Sequence, residues 1–170
     1  MITPLGSFPV PGATNPDLQA LAGHAAALAD GVERAVPGWV VRSVSTVAEA
    51  WQPGLARQLL PAAEAAGGAA VADVGPAVRE LLLTDVDEQR TGPLAVLRGA
   101  VRYPTTVLEE AGVPAVARDA FDVRAFPDDR YGLAPASFAD VDPALHELGV
   151  VWGAAKAHVV LARRRSEGKR

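Results

Sequence analysis

The chain of 170 residues carries 16 basic and 20 acidic side chains, a formal net charge of −4, with 49% hydrophobic and 21% charged residues. That balance belongs to a globular protein and excludes disorder, and at this length one domain buries roughly 70% of its unfolded surface without a disulfide or metal staple. Cysteine is absent, which excludes thiolate catalysis, zinc fingers and a disulfide framework together and fits a reducing cytosol.

Residues 1–13 hold three prolines and two glycines and are expected to form an extended arm, fixed only if Phe8 and Val10 find a groove. They show neither a basic n-region nor a long apolar h-region, so no secretory signal is expected. A helical domain is expected over 14–165. Its first helix starts at Thr14 or Asn15 as cap, with Pro16 at the first helical position and Asp17 at the positive end of the dipole. Leu18, Leu21, Ala25, Leu28 and Val32 recur at helical spacing, and Pro37-Gly38 is expected to end the segment. In "WVVRSVSTVAEAW" the valines favour a strand, yet Val40, Val44, Val47 and Trp51 form a helical stripe, so a helix is expected over 39–51. Pro53-Gly54 closes it.

The next segment is rich in alanine. Pro61 either kinks it or opens a second helix, and Gly75-Pro76 is expected to break it. The small side chains of 62–72 would let another helix approach closely. "TDVDEQRTG" reads as a polar connection. Pro93 starts a helix whose Leu94, Leu97 and Val101 face inward, and Pro104 is expected to stop it. In "TTVLEEAGV", Thr106 and Glu109 have capping-box spacing and Gly112 suits the C-cap. A short helix is expected in "AVARDAF" after Pro114. The last helix follows Asp142 and Pro143, with Leu145, Leu148, Trp152, Ala155, Val159 and Ala162 as its buried stripe. No repeat of fixed period and no convincing strand is present. The expected fold is all-α, a compact single domain of about six to eight proline-punctuated helices packed at varied angles, with Trp39, Trp51, Leu97 and Trp152 in its core. No window approaches the roughly eighteen uninterrupted apolar residues of a membrane span, and a cytoplasmic location is expected.

Charge is uneven. Residues 155–170 carry six basic side chains and one acidic one, and 166–170 are expected to be a flexible basic tail. Arginine outnumbers lysine 14 to 2, a bias that GC-rich bacterial coding produces.

The chemistry-bearing residues give no established motif. His24, His146 and His158 form no metal pair; the last two stand about 18 Å apart on one helix. Asp140 and Asp142 begin like a calcium loop, but Leu145 stands where glycine is needed and Val151 where glutamate is needed. Instead Ser137 and Asp140 have capping-box spacing, and Asp142 suits a cap of the last helix. No nucleophile elbow, phosphate loop or dinucleotide fingerprint is present. No cofactor or metal is implied.

Two candidate surfaces are left. In "AFPDDRYGLAPASFADVDP" (125–143), Asp128, Asp129, Arg130 and Tyr131 are expected to project as a binding tip, with Phe126 and Phe138 as anchors. Arg98 and Arg102, four residues apart, are either surface arginines bonded to acids elsewhere or an anion site. Three functions follow. A non-enzymatic helical module binding a protein partner is expected first, because the loop's aromatics beside Arg130 have the composition of an interface. A nucleic-acid-associated factor would use Arg98, Arg102 and the basic C-terminus, though aromatics interleaved with the basic residues are missing. A small enzyme would draw its pocket from Asp128, Asp129, Arg130 and His146.

Overall fold

The apolar stripe of the first segment does not stop at Pro37. It continues in phase from Leu28 and Val32 through Val36 to Val40 and Val44, all buried. In the computed structural model, which describes residues 15–168, one helix follows that stripe throughout: α1 (Asn15–Trp51), with Pro37 inside it. The arm expected over 1–13 lies outside the described residues. Proline in a helix interior costs about 3 kcal/mol or more, because it has no N–H to donate one turn back. A break there would put half of the stripe out of register with the core, and burial outweighs the lost bond. The helix expected over 39–51 is therefore present, as the second half of α1.

Gly54, at φ 87°, turns the chain after α1, and α2 (Leu55–Leu83) runs straight through Pro61 and Pro76. The break expected at Gly75-Pro76 does not occur. Both prolines are exposed, so the carbonyls they leave unbonded lie on the solvent side, where such bonds lengthen anyway. The opposite face, through Ala63, Gly67, Ala70, Val74, Val78 and Leu82, is buried. It lies antiparallel on α1: Gly67 meets the Pro37 backbone, Gly75 meets Glu33, and Arg79 binds Glu33 at 2.9 Å and pairs with Asp30. A Cβ on Gly67 would stand 3.0 Å from the Pro37 carbonyl oxygen. The close approach expected of the small residues 62–72 is made here.

Two short helices follow the polar connection: α3 (Pro93–Gly99) and α4 (Arg102–Glu110). Pro104 does not stop a helix; it sits in the first turn of α4, where a missing N–H costs little. Thr106 is inside α4 and its hydroxyl donates to Arg102 O at 2.8 Å, so it caps nothing. Gly112, at φ 75°, ends α4 as expected. Residues 113–119 are not helical; the helix expected over "AVARDAF" forms later, as α5 (Ala120–Ala125), where the Asp119 carboxylate accepts from Asp122 N at 2.8 Å. One turn, α6 (Phe138–Val141), carries the capping box of Ser137 and Asp140. Asp142 then accepts from Ala144 N at 2.9 Å and α7 (Leu145–Gly168) begins.

α7 lies antiparallel to α1 on the side away from the hairpin turn. Leu145 and Leu148 cover Gly31, and His158 is 3.4 Å from Asp17. Residues 166–168 are the last turn of this helix and not a separate tail. The result is an all-α single domain with no strand among the described residues. Two apolar clusters share α1. The larger joins its first half to α2, α3 and α7; the smaller joins Val44 and Ala48 to Leu55, Ala63, Val107, Leu108, Val113 and Tyr131. Trp39, Leu97 and Trp152 are core. Trp51 is not: it is 55% exposed, because the last turn of α1 overhangs the smaller cluster beyond Ala48. None of the described helices is long and apolar enough to cross a membrane.

Candidate functional site

The stretch 125–143 is built by its own side chains. Gly132, at φ 67°, ends a turn, and the Asp129 carboxylate reaches over it to accept from Leu133 N at 2.6 Å and Ala134 N at 3.0 Å. Asp129 is 7% exposed. The Tyr131 hydroxyl donates to Val113 O at 2.6 Å, and burial holds its pKa above the ordinary tyrosine value. Val116 N donates to Arg130 O at 3.1 Å. These bonds staple the loop to residues 113–116.

The expected tip is therefore divided. Asp129 and Tyr131 point inward, so they do not project as anticipated. Asp128 and Arg130 are exposed, and Arg130 binds Glu109 at 2.7 Å. Tyr131 belongs to the smaller core cluster, while the expected anchors Phe126 and Phe138 are half-buried. Phe138 packs so tightly on Gly149 that a Cβ there would come within 2.6 Å of its ring. A pocket of Asp128, Asp129, Arg130 and His146 is not assembled, since His146 is exposed on α7 and Arg130 is engaged elsewhere. Among the described residues no three His, Asp or Glu side chains are grouped to hold a metal ion.

Arg98 and Arg102 are likewise not brought together. The chain breaks helix between them at Ala100 and Val101. Arg102 pairs with Asp73 of α2, whose carboxylate also accepts from the Tyr103 hydroxyl at 2.6 Å. Arg98 turns toward the loop instead. Its Nε donates to Pro135 O at 3.0 Å, and its guanidinium lies 5.9 Å from the Phe126 ring centroid.

Arg98 meets a different arginine there. Arg118 donates from one terminal nitrogen to Phe126 O at 2.6 Å. The two guanidinium groups, the Phe126 ring, Asp122, Asp129 and Pro135 line one cleft of about 390 Å³. Next to it stands α5, which buries none of its own residues. Its Phe121 is 68% exposed, and Val116 and Val123 are exposed as well. Neither Arg118 nor Phe121 stood out in the sequence. The signal was the Asp119-to-Asp122 spacing of an N-cap, which places a helix start at Ala120 and brings Phe121 into its first turn.

The C-terminal basic charge is partly consumed inside the molecule. Arg163 is buried and binds both oxygens of Asp85 at 2.8 Å, with Asp87 on the same guanidinium. Arg163 holds the Asp85 carboxyl below the usual carboxylate value. No family model, no curated protein and no solved structure matches this chain.

Proposed function

We propose that this protein is a non-enzymatic helical binding module that docks a protein partner through α5 and the segment before it. One observation carries the reading: α5 gives no side chain to the core and presents Phe121 to solvent. A large aromatic side chain left outside is the kind of anchor that fills a partner's pocket. The presentation is fixed in advance. Val116 N is bonded to Arg130 O, Arg118 to Phe126 O, and Asp119 caps α5, so little conformational freedom is lost on docking. The partner surface it fits is an apolar pocket wide enough for a phenyl ring, with a rim carrying charges of both signs to meet Asp119 and Arg124.

The test immobilises the full chain and compares capture from a cell lysate by the unaltered protein, Phe121→Ala and Trp51→Ala. Trp51 is the control, being also exposed but on α1, outside α5 and the segment before it. A protein captured by the unaltered chain and by Trp51→Ala, and lost at least tenfold with Phe121→Ala, supports the reading. Equal capture by all three sinks it. So does a concentration-dependent dimer in sedimentation that Phe121→Ala abolishes, since the face would then belong to a second copy.

A further inference from the structure

We infer that the cleft between Arg98, Arg118 and Phe126 is a binding site for a small monocarboxylate with an apolar or aromatic body. The two guanidinium groups are positioned before any ligand arrives. Arg98 is held through Nε on Pro135 O and Arg118 through one terminal nitrogen on Phe126 O. Their other N–H groups have no hydrogen-bond partner among the described residues, and neither has a carboxylate within 4.0 Å there. This sets them apart from Arg79, Arg102, Arg130 and Arg163, each of which is paired with an acid. Planar forks held in place suit a carboxylate, which accepts two parallel N–H bonds.

The remaining walls select the body and the charge of the ligand. Phe126 and Pro135 offer an apolar surface, and a cleft of about 390 Å³ lies in the range of small-molecule sites. Asp129 lines the cleft, but both its oxygens are engaged by the Leu133 and Ala134 amides. Asp122 also lines it, and its carboxylate has no hydrogen-bond partner among the described residues. With the Asp129 charge counted as well, two guanidinium groups stand against two carboxylates, so the cleft has no surplus positive charge for a dianion such as phosphate, while the unbonded N–H groups can still hold a single carboxylate. The site does not include Phe121, so it stands or falls independently of the docking surface.

Sodium phenylacetate is the probe. It is titrated into the ¹⁵N-labelled full chain while the amides of Gly132, Ala134 and Ala136 and the Nε–H groups of Arg98 and Arg118 are followed by NMR. Saturable shifts confined to these groups are expected. Benzyl alcohol, with the ring but no charge, and inorganic phosphate, with charge but no ring, should each bind at least tenfold more weakly. Arg98→Gln keeps a donor for Pro135 O at the position of Nε and removes the charge; Arg118→Gln removes the charge and, being shorter, also gives up the bond to Phe126 O. Either should weaken phenylacetate roughly tenfold or more, the worth of one charge-assisted hydrogen bond, with the spectrum elsewhere unchanged. Should a glutamine variant fail to fold, the three-ligand comparison on the unaltered chain decides alone. The inference is overturned by the absence of a saturable shift at these groups, by benzyl alcohol or phosphate binding as well as phenylacetate, or by folded glutamine variants that bind as before.

Discussion

The carboxylate of Asp129 closes a loop, while that of its neighbour Asp128 meets solvent. Asp129→Ala leaves the Leu133 and Ala134 amides without their acceptor and should cost about 1–3 kcal/mol. Asp128→Ala should stay within about 0.5 kcal/mol. Urea unfolding of the two variants checks this, and equal effects would mean that Asp129 does not hold the turn. The difference was hard to read in the sequence because "PDDRYG" offers two aspartates to one turn and only the closed backbone chooses between them. Asp140 and Asp142 were legible because a cap bonds amides within a few residues of itself. Arg98 and Arg118, twenty residues apart, meet only through Phe126 and Pro135, and no local spacing encodes that.

At the scale of the helices, the hairpin is sensitive to single methyl groups on one side only. Gly67 and Gly68 are adjacent in α2. Gly67 is buried on the Pro37 backbone, which is no flexible side-chain end and gives way poorly; Gly68 has nothing within 4 Å of where its Cβ would be. Gly67→Ala should destabilise by about 1–3 kcal/mol through overpacking. Gly68→Ala should stabilise by roughly 0.5–1 kcal/mol, because alanine has the higher helix propensity. Thermal melts of the two variants moving in the same direction would place the contact elsewhere. Periodicity made the α1, α2 and α7 stripes legible, and the capping signals located Gly54, Gly112 and Ser137. Boundaries failed where a proline was taken as a stop at 37, 76 and 104. The spacing from Val36 to Val40 and from Val74 to Val78 already ran through two of those prolines in phase, and that phase outranks a lost hydrogen bond when the face is buried. Conversely, α3 and α4 split without a proline between Leu97 and Val101, which no stripe announces.

In the molecule as a whole, the connection 84–92 is tied to α7 by Arg163 with Asp85 and Asp87, and by Lys156 Nζ donating to Gln89 at 2.9 Å. Asp85 has a folded pKa below its ordinary value of 3.8. The pair therefore adds stability above that value, and the addition is lost as pH falls through the depressed folded value. Asp85→Asn should be less stable than the unaltered chain near neutrality, and the gap should narrow as the pH is lowered below 3.8. A gap that stays constant in urea midpoints measured across that range would exclude the charge as the cause. The same unfolding curves bear on the single rod common to both apolar clusters. Trp39 and Trp152 report on the larger cluster, and with Tyr103, which packs on that cluster, changed to Phe, Tyr131 reports on the smaller. Each cluster packs on one half of α1 and also on α2, so melting either half shortens both helices of the hairpin and strips them of a packed face over several turns, which leaves the remainder little stability of its own. Tryptophan emission, tyrosine absorbance and far-UV ellipticity should accordingly trace one transition, so that the domain is a single cooperative unit whose two cores cannot be lost one at a time.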